Sequence, residues 1–118
     1  HSSHPDERDA AARETIVSFM KEVMSAVVGG NHPTISVCAV YQATTGQSAP
    51  ASWIVRTKLR DVFTELVRST HHRVPTEAEI QWAIRISAEC GLTEGSNGRL
   101  QFEMPRHPEK KKWWQIWR

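Results

Sequence analysis

The chain has 118 residues, 39% of them apolar and 24% charged, and a net charge of +2. That length gives one compact domain with a real core and excludes an elaborate second domain. No apolar run approaches the ~20 residues a bilayer span needs, and there is no signal peptide, which argues against a membrane protein. Charge is unevenly spread: Asp6 to Glu22 carries five acids and three bases, whereas Pro105 to Arg118 carries five bases against Glu109 alone. Arg56, Lys58, Arg60, Arg68 and Arg73 gather in a second basic stretch, opposed by Asp61 and Glu65. Cys38 and Cys90 each sit in an apolar run and read as buried free thiols of a reducing, intracellular compartment.

Residues 1–5 read as a disordered end or tag remnant, and the chain as a fragment of something larger. Asp6 to Val28 reads as a helix. Its acids suit a helix N-terminus, Ala12, Ile16, Phe19, Met20, Val23 and Val27 recur at helical spacing, and Gly29-Gly30 stops it. Thr34 to Gln42, "TISVCAVYQ", is β-branched and almost continuously apolar, which favours a buried strand. Pro33 preceded by His32 would equally open a helix. After a Gly- and Pro-containing loop, Ser52 to Ser69 reads as one helix capped by Ser52, with Val55, Leu59, Val62, Phe63, Leu66 and Val67 as its apolar stripe. Pro75 biases Val74 to extended geometry, so a very short strand is expected at Arg73-Val74. Thr76 to Cys90 forms the third helix. It opens on the capping box "TEAE" and stops at Gly91, with Trp82 and Ile86 widening its apolar face. Asn97-Gly98 is a hairpin signal, and Leu100 and Phe102 alternate with Gln101 and Glu103 as in a half-buried strand. Pro105 and Pro108 end the folded part.

The expected fold is therefore α+β, with three helices and a small antiparallel hairpin in a single domain over 6–104, followed by a basic, tryptophan-rich tail over 105–118. The run helix, tight link, helix, glycine stop and hairpin, with "AECGLTEGSNGRLQFE" at its end, resembles the close of a winged-helix domain over 52–104. In that plan Asp6–Val28 supplies the first helix, Ser52–Ser69 the second, and Thr34–Gln42 is an inserted strand or helix. The resemblance implies either a nucleic-acid-binding module or a protein-interaction module of a replication, transcription or RNA-processing machine.

A helix that reads a major groove exposes arginine, lysine, asparagine or glutamine. Thr76–Cys90 offers Gln81 and Arg85 but also Glu77, Glu79 and Glu89, which favours an ordinary solvated helix. The basic strip of Arg56, Lys58 and Arg60, with Arg99 on the hairpin turn, suits phosphate contacts that read no sequence. In the tail, Lys110, Lys111 and Lys112 can neutralise phosphate. Trp113, Trp114 and Trp117 can stack on unpaired bases at ~1–3 kcal/mol each, anchor in a protein pocket or fold back on the domain. No CxxC or HxxxH spacing marks a metal site, and no GxSxG, HExxH or P-loop frames a catalytic group. The expectation is a non-catalytic nucleic-acid-binding module without cofactor or metal, binding DNA or RNA with low sequence selectivity. The alternative is a protein–protein module, docking a partner or forming a homodimer through the tail and the Trp82/Ile86 face.

Overall fold

A computed structural model of the chain describes residues 5–103, with side chains from Ala10 onward. Five helices and one two-stranded antiparallel sheet make up this region, a mainly helical α+β arrangement. Helix α1 (Pro5–Val28) runs along the core and buries all six residues of its apolar stripe. Its end is tied down at Gly29, whose amide donates to the Ser25 carbonyl at 3.1 Å.

The strand expected over Thr34–Gln42 is a helix, α2 (Pro33–Thr45). Its two ends decide this. Pro33 takes the first helical position, where its missing N–H costs nothing, and His32 Nδ1 accepts the Thr34 amide at 3.1 Å. Gly46, at φ 76°, closes the other end in the left-handed conformation. Thr34, Val37 and Tyr41 then point inward at intervals of three and four residues.

The single helix expected over Ser52–Ser69 is broken in two, which with α2 brings the count to five rather than three. Helix α3 (Ser52–Val55) is one turn, and α4 (Leu59–His71) follows after an extended stretch with φ −149° at Arg56 and −110° at Lys58. Neither helix is capped by Ser52. Thr57 makes the break: its hydroxyl donates to the Trp53 carbonyl, while its amide leaves the helical ladder for the Gly98 carbonyl at 2.7 Å. Leu59, Val62, Phe63, Leu66 and Val67 lie in α4 and are buried, whereas Val55, expected on the same stripe, falls in α3 and is 73% exposed because the break turns it to solvent. Phe63 meets Phe19 of α1 edge-on, with ring centroids 6.3 Å apart.

The short strand expected at Arg73-Val74 does not form; Val74 is exposed, and the Arg73 side chain turns to Glu79. Helix α5 (Glu77–Glu89) opens on the expected capping box, with Glu79 N donating to Thr76 Oγ1 at 3.1 Å and Thr76 N donating to Glu79 Oε1 at 2.8 Å. Past Gly91, β1 (Leu92–Glu94) and β2 (Leu100–Phe102) pair with Leu92 opposite Phe102 and Glu94 opposite Leu100. Buried side-chain bonds hold this hairpin on the helices. Leu100 N donates to Thr34 Oγ1 of α2 at 3.1 Å, and Ser87 Oγ of α5 donates to the Leu92 carbonyl at 2.8 Å. α1 packs against α2, α4 and α5, so one hydrophobic cluster serves the whole fold.

Candidate nucleic-acid interface

The break before α4 repositions the basic residues. Had the helix run on, Arg56 and Arg60 would share one face, a turn apart. Instead the extended segment Arg56–Lys58 lies along the hairpin turn, fastened there by the Thr57–Gly98 bond. Arg56 and Lys58 line a cleft of about 370 Å³ with Glu94, Gly95, Ser96, Asn97 and Gly98. Arg99 follows directly on the turn and is exposed. Three of the four basic candidates in the described region therefore lie on or beside the hairpin turn.

The acid in this cleft has other work. Lys58, in the N-cap position of α4, offers that helix no side-chain acceptor. Glu94 supplies one from β1, its Oε2 accepting the Leu59 amide at 2.9 Å. Arg56, Lys58 and Arg99 form no ion pair among the described residues, and Glu94 is the one carboxylate among the described residues of the cleft.

Arg60 is placed differently. Its guanidinium holds Glu77 of α5 in a two-pronged contact of 2.8 and 2.6 Å. Gln81 Nε2 donates to the same carboxylate at 2.8 Å. The Arg60 hydrogen bond, then that of Gln81, lowers the Glu77 carboxyl from its ordinary value of 4.5 to about 2. Arg68 and Arg73 are paired as well, with Glu65 at 3.2 Å and Glu79 at 2.7 Å. The basic strip expected on the Ser52 helix thus splits into an unpaired pair beside the hairpin and a paired set along α4 and its exit. His71, whose Nε2 lies 2.8 Å from Thr15 Oγ1, ties α4 to α1.

The acids of α5 change meaning too. Glu79 is 1% exposed and serves the capping box and Arg73, and Glu77 is held by Arg60 and Gln81. The solvent face of α5 is left with Arg85 and Glu89 among small residues, a poor set for reading base edges. The Trp82–Ile86 face put forward as a docking surface is core: the two residues are 7% and 6% exposed, and Arg13 stacks over the Trp82 ring at 5.3 Å. Their apolar bulk is spent against α1.

Lys110, Lys111, Lys112, Trp113, Trp114 and Trp117 lie outside the described residues. Among the described residues no cluster of three metal-ligating side chains occurs, and no helix is long and apolar enough to cross a membrane. Cys90 is buried, and burial pushes the half-buried Cys38 thiol up, which disfavours its thiolate. The sequence reading missed Thr57 and Glu94, the two residues that fasten α4 to the hairpin. No family model, curated protein or solved structure matches this chain.

Proposed function

We propose that the chain is a non-catalytic, winged-helix-like module of an intracellular nucleic-acid-handling protein. It contacts phosphate through Arg56, Lys58 and Arg99, with Lys110, Lys111 and Lys112 of the tail as a second basic element. The observation that carries this reading is the meeting of Arg56 and Lys58 with the hairpin turn, through the 2.7 Å bond from Thr57 to Gly98. It brings Arg56 and Lys58, which have no ion pair among the described residues, to the turn that Arg99 follows, an arrangement suited to backbone contacts. Chain order supports the winged-helix part. The extended Arg56–Lys58 segment stands where a first strand belongs, α4 and α5 are the two helices that follow it, and the β1–β2 hairpin is the wing. The solvent face of α5, Arg85 and Glu89 among small residues, supports low sequence selectivity.

Fluorescence anisotropy with labelled single-stranded and duplex DNA and RNA, over a salt series, tests it. Arg56→Gln/Lys58→Gln/Arg99→Gln should weaken binding and flatten the slope of log K against log salt by roughly 0.9 per lost duplex contact. An unchanged slope removes these residues from the interface. Absence of binding at low salt removes the reading and leaves protein docking in its place.

A further inference from the structure

Asn97 and Gly98, in the hairpin turn that lines the basic cleft, bring two reactive groups together. Asn97 is exposed, and Gly98 follows it at φ +85°. An asparagine side chain ends in a carboxamide, which the next residue's backbone nitrogen can attack when nothing shields that nitrogen. Glycine gives no shield because it has no Cβ. The fold holds glycine there: the left-handed φ strains any other residue, and a Cβ would meet Arg56 Cγ and the Val55 carbonyl oxygen at 3.4 Å. The carboxamide is also prepared for attack. Its Oδ1 accepts the Arg99 amide at 3.0 Å, which draws electron density from Cγ and steadies the negative charge that builds on the oxygen. Its Nδ2, the group that must leave, makes no hydrogen bond among the described residues.

We propose that Asn97 deamidates in the folded chain, and that its products cancel the charge of the basic cleft and loosen its support. The Gly98 amide gives its proton to water, parting from the Gly95 carbonyl at 3.2 Å, and its nitrogen bonds to Asn97 Cγ. The Cγ–Nδ2 bond breaks, and Nδ2 leaves as ammonia with a proton from water. Water then opens the succinimide ring so formed. Opening at Cγ gives an aspartate at position 97. Opening at the main-chain carbonyl gives an isoaspartate, whose backbone runs through the former side chain and is longer by a carbon. Either product puts a new carboxylate in the turn. Arg56 and Lys58 against Glu94 give the cleft lining a net charge of +1, which a second carboxylate brings to zero. The isoaspartate also displaces Gly98, whose carbonyl accepts the Thr57 amide at 2.7 Å and so fixes the Arg56–Lys58 stretch to the turn. The effect on binding rests on the function proposed above; the chemistry does not.

The test ages the full chain in warm, mildly alkaline buffer, without nucleic acid, and follows it by peptide mass spectrometry. The mass reads the replacement of NH by O, and fragmentation separates isoaspartate from aspartate. Asn31, the other asparagine of the chain, is exposed and followed by His32, and serves as the internal control. Asn97 should convert many-fold faster than Asn31, and at a comparable rate in the native chain and in denaturant. Equal rates at the two asparagines, or conversion of Asn97 only in denaturant, would overturn the proposal. Hydrogen exchange at the Thr57 amide should be faster in the isoaspartate form. It should be unchanged in Asn97→Asp, which adds the charge without lengthening the backbone. Unchanged exchange in both would overturn the loosening of the support. Asn97→Asp should also weaken nucleic-acid binding several-fold at low salt and flatten the salt slope by up to roughly 0.9 on a duplex. Conversion of Asn97 together with full binding by Asn97→Asp would leave the chemistry standing and remove the cleft from the phosphate interface.

Discussion

Glu77 and Glu79 stand two residues apart at the head of α5 and meet opposite surroundings. Glu79 is buried, completes the capping box and holds Arg73. Glu79→Ala leaves that guanidinium without its carboxylate and opens the cap, so it should lower stability by about 3 kcal/mol, measured by chemical denaturation. Glu77 is exposed and pinned by Arg60. Its folded carboxyl value of about 2 lies below the ordinary 4.5, so this pair stabilises the fold fully above the ordinary value and is lost as pH falls toward about 2. A carboxyl-carbon NMR titration should show Glu77 titrating well below the usual glutamate range, and added salt should move it back because the pair faces solvent. Glu77→Gln should in addition free Arg60 for phosphate, tightening nucleic-acid binding and steepening the salt dependence. The capping box was legible in the sequence because its two residues are three apart. The Arg60–Glu77 pair was not, because its members are brought together only by the packing of α4 on α5.

At the scale of the elements, local signals succeeded wherever the chain carries its own punctuation. Gly29-Gly30, the Thr76 cap, Gly91 and Asn97-Gly98 all mark boundaries that the fold uses. "TISVCAVYQ" misleads because its apolar residues are nearly continuous, and continuous burial has no period to read. Its helical state rests on His32, Pro33 and Gly46 at the ends. The break at Thr57 carries no glycine or proline, and its cause is an acceptor on the distant hairpin. Thr34 shows how much such distant bonds matter. Thr34→Val keeps the shape but leaves the buried Leu100 amide without its acceptor, and denaturation should report a loss of about 1–3 kcal/mol. Gly91, at φ +95°, allows β2 to pass close: a Cβ there would run into the Glu103 carbonyl oxygen. Gly91→Ala should therefore cost more than about 1 kcal/mol and speed hydrogen exchange at the Glu103 amide.

For the whole molecule, a net charge of +2 conceals −2 over residues 1–103 and +4 over residues 104–118. The proposed binding to nucleic acid therefore rests on where cations sit rather than on how many there are. Lys110→Ala/Lys111→Ala/Lys112→Ala should flatten the salt slope by up to roughly 2.7 on a duplex, at 0.9 per contact, while leaving the thermal midpoint of the domain in place. The joint before α4 has a further consequence during synthesis, when a chain emerges N-terminal end first. The acceptors for Thr57 and Leu59 are Gly98 and Glu94, which leave the ribosome after all of α4 and α5. Until then the hairpin bonds that draw the Arg56–Lys58 stretch out of line are unmade, and only the local Thr57 hydroxyl bond to the Trp53 carbonyl can mark the break. The hairpin bonds that fix the separation of Arg56 and Arg60 are therefore among the last the growing chain can make.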